Sequence, residues 1–264
     1  MFGRVVNLAP MKISQVAAQL YTLRDQCKTP GDIARSLEKV RQIGYESVQI
    51  SGLGPIENEA LLGLAKSNDL TICATHEDIE DILDTPQKVI DKLRALDCQH
   101  TAIGFPGGVD LASKDGVLDF CRRFEAAAKQ FIAVGMTVSH HNHHHEFRQI
   151  EGKTVMQMIL ENTQSVTLEL DTYWVQYGGG SPEAWNRRAE GRLPLLHLKD
   201  YCVNDQNTPQ FAEVGNGNLD WKPIIQSAEE SGCEWFIVEQ DTCPGDPFDS
   251  LQMSFDYISK NLVS

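Results

Sequence analysis

Residues 136–146 read Met-Thr-Val-Ser-His-His-Asn-His-His-His-Glu. A short apolar stretch, Met136-Thr137-Val138, runs straight into a block of imidazoles, so the block sits where a strand would end. Neutral imidazole is the commonest metal ligand and the usual proton carrier near neutral pH. The same pattern, a short apolar strand with a chemically able residue at its tip, recurs downstream. Thr167–Asp171 ends in an aspartate, Leu193–His197 in a histidine and Trp235–Glu239 in a glutamate. Upstream, Ser14–Leu20, Ser47–Ser51, Thr71–His76 and His100–Gly104 bring the strand candidates to eight.

Helices fill the intervals. In Pro30–Ile43 the residues Ile33, Leu37, Val40 and Ile43 make one apolar stripe, and Gly44 stops it. Thr85-Pro86 places a capping threonine before a proline at the first helical position, and Ser181-Pro182-Glu183 repeats that signature ahead of Ala184–Ala189. Val117–Val134 is the longest helical stretch, Asp220 caps Trp221–Ser231, and Asp249–Leu262 is the last. The helical signal is weakest after the second and fifth strands. Strand–helix alternation implies parallel strands joined by right-handed crossovers. Eight such units in 264 residues predict an α/β chain closed as a (β/α)8 TIM barrel, a fold that typically takes about 250 residues. The competing arrangement is an open doubly wound sheet, which usually carries a Gly-rich phosphate loop after its first strand. Here that strand runs into Gln19-Leu20-Tyr21-Thr22-Leu23-Arg24, and no GxGxxG occurs anywhere. Residues 13–264 are expected to form a single barrel domain, with residues 1–12 a leader outside the core and Met11 a second plausible start.

The formal net charge of −14 disfavours any protein whose affinity comes from neutralising phosphate backbones, and equally one that docks on anionic membranes. Neither a nucleic-acid nor a membrane partner is expected, and a small neutral or metal-chelated substrate fits better. Solubility alone accounts for the acidity just as well. Seven cysteines, scattered and without a CxxC pair, read as a reduced intracellular set rather than a disulfide framework. No run approaches about 18 apolar residues, and Met1 to Pro10 lack the apolar core of a signal peptide. The expected location is the cytoplasm. The oligomeric state is left open, a homo-oligomer included.

In barrels the catalytic groups lie at the C-terminal ends of the strands. Four neighbouring strands finish in a residue that can bind a metal: His141, Asp171, His197 and Glu239. Side chains alternate along a strand. If Asp171 points inward, so do Thr167 and Glu169, while Leu168 and Leu170 face the helices. If His197 points inward, so do Leu195 and Lys199; if Glu239 does, Ile237 and Asp241 join it. On the fifth strand, Ser139 and His143 share the face of His141, and His140 turns outward. Glu169 is the exception to charge at the mouth only, since it falls inside the barrel and needs a polar partner. Two imidazoles and two carboxylates suit one Mn²⁺, Co²⁺, Fe²⁺ or Zn²⁺ ion, with Mg²⁺ placed below these and Ca²⁺ disfavoured. An open coordination position on such an ion would polarise a carbonyl. Glu239 or Glu146 is then the expected base, with Lys199 or His143 assisting. His76, at the tip of the third strand, and the aromatics Trp174 and Phe105 are expected on the substrate. His140 is expected to be structural, and His144 and His145 to be solvated. Gly215–Asn218 is expected to be a turn before a helix rather than a phosphate cradle.

These segments resemble the xylose isomerase-like TIM-barrel superfamily, in particular its sugar phosphate isomerases/epimerases, across nearly all of residues 13–264. The resemblance rests on Gln19-Leu20-Tyr21-Thr22-Leu23-Arg24-Asp25, His141-Asn142-His143-His144-His145-Glu146-Phe147 and Leu170-Asp171-Thr172-Tyr173-Trp174. It continues in His197-Leu198-Lys199-Asp200, Val214-Gly215-Asn216-Gly217-Asn218-Leu219-Asp220-Trp221 and Val238-Glu239-Gln240-Asp241. It implies one divalent metal on strands five to eight, carried by His141, Asp171, His197 and Glu239, and a sugar or cyclitol substrate. His141 departs from the family, whose better-known epimerases have a glutamate there and use two metal-binding glutamates as bases on opposite faces of the substrate. The expected function is a metal-dependent sugar or cyclitol isomerase/epimerase, with a sugar or inositol dehydratase on the same site as the alternative. Further alternatives are an endonuclease-like barrel, against which the charge weighs, and a non-catalytic sugar-binding barrel.

Overall fold

The computed structural model of the protein describes residues 10–263. Eight parallel strands close into a barrel in which neighbours in sequence are neighbours in space, the last pairing with the first. They are β1 (Val16–Gln19), β2 (Ser47–Ile50), β3 (Thr71–Glu77), β4 (His100–Ile103), β5 (Thr137–His141), β6 (Thr167–Asp171), β7 (Leu195–Leu198) and β8 (Trp235–Val238). All eight expected strands are present. The first starts later than expected because Ile13–Gln15 winds into a 3-10 turn.

Helices pack around the strands. Pro30–Ile43 has the expected bounds, and Thr29 caps it by accepting from the Asp32 amide. Helices also stand at the two weak positions, Asn58–Ser67 after β2 and Val155–Asn162 after β5. Two expected caps and one helix start differ. Thr85 makes no cap bond, because its hydroxyl turns back to Asp81 at the end of the preceding short helix. Asp220 precedes Trp221–Glu230 without a side-chain cap bond. The last helix begins earlier, at Pro247, where Asp246 accepts from the Phe248 amide. The expected leader falls outside the described residues up to position 9. Met11 belongs to the fold, since it is buried in the core and its amide donates to Glu229 Oε1 at 2.6 Å.

Strand alternation divides the interior as the sequence predicts. Leu168 and Leu170 of β6 and Leu196 and Leu198 of β7 join the large apolar layer between sheet and helices. Inside the barrel a small apolar floor is made by Ala17, Cys73, Ala74, Leu195 and Ile237. Ser139 Oγ and Thr167 Oγ1, at the start of β6, lie 2.8 Å apart, and toward the other end of the strands the interior is ionic. Apolar residues below and charges above put the polar groups at the C-terminal mouth.

One buried carboxylate builds the loop after β7. Asp200 accepts from the amides of Gly215, Gly217 and Leu219 and from the Trp221 indole at 2.8–3.2 Å. The backbone can come this close because position 217 has no side chain, as a Cβ there would overlap the Asp200 carboxylate. Within the segment, Gly215 and Gly217 give their amides to Asp200, Asn216 to the Glu213 carbonyl and Asn218 to the Tyr201 carbonyl, so Gly215–Asn218 is the expected turn. Two short hairpins decorate the barrel: Gln149–Ile150 with Lys153–Thr154, and Asp200–Val203 with Pro209–Ala212. Among the described residues, no helix is long and apolar enough to cross a membrane. Replacing Asp200 with Ala leaves one buried and three half-buried donors without their acceptor, and the buried one alone costs about 1–3 kcal/mol. The expected result is a lower urea midpoint with an unchanged denaturant slope, and a destabilisation of less than about 1 kcal/mol would contradict this role for Asp200.

Candidate active site

The mouth of the barrel opens into a cavity of about 790 Å³, whose wall includes His76, Phe105, His141, His143, Lys199 and Glu239. His141, Asp171, His197 and Glu239 come together beneath it. All four are buried, and one potential ligand atom from each lies within 4.8 Å of the others. His141 Nε2 is 3.4 Å from Asp171 Oδ2, and His197 Nδ1 is 2.9 Å from Glu239 Oε2.

The far nitrogen of each imidazole is engaged elsewhere. His141 Nδ1 donates to the Gly104 carbonyl at 3.1 Å, and His197 Nε2 to Gln49 Oε1 at 2.8 Å. Such outer hydrogen bonds fix ring orientation and tautomer, leaving the inner nitrogen as a lone-pair donor. Asp171 has two duties. Its Oδ1 accepts from the Trp174 amide and caps the short helix Thr172–Tyr177, while Oδ2 faces the site. Helix cap and candidate ligand are thus compatible roles for this one carboxylate.

Lys199 is the largest surprise. Its side chain is 1% exposed, and its Nζ lies 2.9 Å from Asp171 Oδ2, 2.7 Å from Glu239 Oε2 and 3.1 Å from Asp241 Oδ1. Burial opposes a charged lysine, but the three carboxylates outweigh it and hold the pKa well above the ordinary value. Burial likewise opposes the charged forms of Asp171 and Glu239. Lys199, with the neighbouring imidazoles, overrides it and keeps both carboxyls below their usual range. Asp241 goes the other way, since burial and the charges of Glu239 and Asp171 raise it despite Lys199.

Glu169 finds the partners that its buried position requires. It accepts from Gln49 Nε2 at 2.6 Å, pairs with His76 Nε2 at 2.6 Å, and stands 3.3 Å from His197 Nε2. Burial opposes its charge, and His197 and His76 reverse that, holding it well below the usual carboxylate range. His197 is raised well above the usual imidazole value, because Glu169 and Glu239 outweigh burial. For His76 burial prevails over Glu169 and the pKa is lowered. Gly104 packs against this ring so closely that a Cβ would come within 2.9 Å of His76 Nδ1.

Other expected site residues divide. His143 lines the cavity, and burial lowers its pKa to about 2, so it is a neutral imidazole throughout the physiological range. Phe105 is exposed on the cavity wall, edge-on to His143. Trp174 lies behind that wall, tilted against His143 at 5.5 Å, with its indole nitrogen buried and unpartnered. Glu146 does not reach the site. It is fully buried, accepts from His140 Nε2 at 3.1 Å and from the His143 amide at 2.9 Å, and is absent from the cavity wall. The turn that starts at His143 swings it toward the helix layer, which removes it as a stand-in base. His140 is structural as expected, its ring edge-on to Phe120 and Phe124.

Sequence reasoning left Arg24 and Gln49 out of the site, and put Asp241 on the inward face with Glu239 without giving it a role. Arg24 sits over the Tyr21 ring at 4.5 Å and donates to the Asp241 carbonyl at 2.9 Å. Gln49 lies on β2 and bridges Glu169 and His197. A glutamine inside a strand of otherwise buried residues was the available signal for Gln49.

Residues 37–259 match the family described as xylose isomerase-like TIM barrel. The inosose dehydratase of Lacticaseibacillus casei is 26% identical over 148 residues, which cover 49% of this chain and 49% of that protein. The chain thus matches about half the length of this curated relative. A sugar phosphate isomerase/epimerase from Parabacteroides distasonis superposes with a TM-score of 0.80 at 20% identity, covering 100% of both chains. A xylose isomerase-like TIM barrel protein from Mycobacterium smegmatis, in complex with magnesium, gives 0.72 at 14% identity, covering 96% of this chain and 98% of that one. At these identities the two structures speak for the fold. With the family match spanning most of the chain and the closed eight-stranded barrel in place, this protein belongs to the xylose isomerase-like TIM barrel family.

Proposed function

We propose that this protein is a divalent-metal-dependent enzyme that removes a proton next to a carbonyl of a sugar or cyclitol, as an isomerase or epimerase. The observation that carries the reading is the convergence of His141, Asp171, His197 and Glu239, with the outer nitrogen of each imidazole already bound to a carbonyl oxygen. The charge count supports it. Asp171, Glu239, Asp241 and Glu169 crowd one small volume, and the single charge of Lys199, with His197 neutral as a ligand, does not balance four carboxylates. A divalent ion fits that deficit, and the mixed nitrogen–oxygen donor set suits Mn²⁺, Co²⁺, Fe²⁺ or Zn²⁺. Magnesium occurs in the Mycobacterium smegmatis protein of the same fold. When bound, the ion would supply Lewis-acid polarisation of the substrate carbonyl.

The remaining chemistry falls to the chain's own groups. Glu239 is ionised at neutral pH, faces the cavity and is the base. Lys199 Nζ, 2.7 Å from Glu239 Oε2, holds a proton where the abstracted one arrives and can return one to a substrate oxygen. His143 and Phe105 shape the opposite wall, the first as a neutral hydrogen-bonding group and the second as an apolar face for a sugar ring.

Dehydration is the second reading. It is favoured by the curated relatives named inosose dehydratase and by the imidazole of His141 where epimerases of the family carry a carboxylate. One-sided proton removal followed by loss of a hydroxyl needs one base and one acid, and Glu239 and Lys199 supply both.

Two experiments test these assignments. Untagged protein supplied with Mn²⁺ or Co²⁺ should exchange deuterium from D₂O into at least one member of a panel of ketoses, aldoses and keto-cyclitols. Asp171→Asn should lose both the exchange and one bound metal equivalent. An isomerase returns a product of equal mass and a dehydratase one lighter by water; exchange into no substrate would overturn both readings. Lys199→Met should lower turnover by roughly 10²–10⁴-fold. It should also destabilise metal-free protein by about 3–5 kcal/mol, because buried carboxylates lose their partner. The lowered pKa values of Glu169, Asp171 and Glu239 stabilise the fold above about pH 5, and that contribution is lost as pH falls through the folded values. The raised value of Lys199 contributes below about pH 10 and is lost as pH rises above it. Urea midpoints of metal-free protein should follow that window, and Lys199→Met should flatten the acid-side decline.

A further inference from the structure

We propose that His143, His145 and Glu146 form a second metal site at the lip of the barrel, suited to Zn²⁺ or a similar transition ion. One potential ligand atom from each lies within 4.8 Å of the others, and none of the three belongs to the first cluster. Glu146 is fully buried and rigidly held, with Oε1 accepting from His140 Nε2 and Oε2 from the His143 amide. Each oxygen keeps a second lone pair, so these bonds orient the carboxylate without exhausting it, as outer partners do for metal ligands.

The two imidazoles are prepared in different ways. His143 Nδ1 is buried with no hydrogen-bond partner. A buried polar atom without a partner is costly, which makes it the notable orphan of this turn. His145 places Nε2 3.4 Å from Glu146 Oε1 and remains one-third exposed, which gives an ion a way in. The rings of His143 and His145 stack at 5.5 Å, and Phe105 stands edge-on to both. All three residues come from one 3-10 turn and its cap, so the donors are set by local geometry. Two nitrogens and one carboxylate with open positions form a zinc-type donor set.

His144 is the internal control. It belongs to the same tract but packs on Trp174 and Tyr177, outside the triad. A tract that bound metal only through the density of its imidazoles would not distinguish it from His145.

The test uses full-length untagged protein, stripped with chelator, equilibrated with Zn²⁺ and analysed for metal per chain. The expected result is two ions for the wild type and for His144→Ala, and one for His145→Ala. Asp171→Asn should also keep one. If His145→Ala misfolds by circular dichroism, His145→Gln takes its place. Equal binding by wild type and His145→Ala would overturn the proposal, as would equal loss from His144→Ala and His145→Ala. A wild type that binds one ion, lost in His145→Ala and kept in Asp171→Asn, would uphold this site while removing the first.

Discussion

A lysine ammonium buried among three carboxylates is the constraint on which the mouth of this barrel depends. Lys199 touches Asp171 on β6 and Glu239 and Asp241 beyond β8, so it ties together the strands on either side of its own. None of these charges would be tolerable alone at that depth. Their mutual attraction sets protonation states that no isolated side chain would adopt, with Lys199 up and Asp171 and Glu239 down. Thr172 reinforces the arrangement through its hydroxyl, which donates to the His197 or Lys199 carbonyl and accepts from the Lys199 amide.

Beneath that cluster runs a chain of hydrogen bonds that crosses the barrel. Gln19 donates to Gln49, Gln49 to Glu169, and His76 closes on the other oxygen of Glu169. His197 belongs to both networks, with one nitrogen toward Gln49 and the other toward Glu239. Interior polar groups of this kind stiffen a site only when every member is satisfied, and here five strands share the task. Chemistry placed at the mouth therefore rests on a polar interior, which rests in turn on the apolar floor at Leu195 and Ile237.

Much of the site could be read from strand tips. Period-two alternation separated His141 from His140, put Glu169 inside and paired Lys199 with the face of His197, because side-chain direction in a strand is fixed by the backbone. Glu146 defeated that logic. It lies beyond the strand on a 3-10 turn, where the rule no longer applies, and its carboxylate is captured by the outward-facing His140. Arg24 was missed for a related reason, since it sits on a helical turn after β1 and reaches Asp241 across 217 positions of sequence.

The sequence by itself determined the eight strand–helix units, the barrel they close into and four residues able to bind a metal. These follow from short-range rules of periodicity and alternation, which a linear chain carries in full. Only the tertiary structure decided that Lys199 lies between Asp171 and Glu239, that Glu169 is shared by His76, Gln49 and His197, and that Glu146 turns away. Those outcomes depend on distances between separate strands and on which buried charge finds a partner. No local pattern encodes such distances, because they are fixed only when the barrel closes.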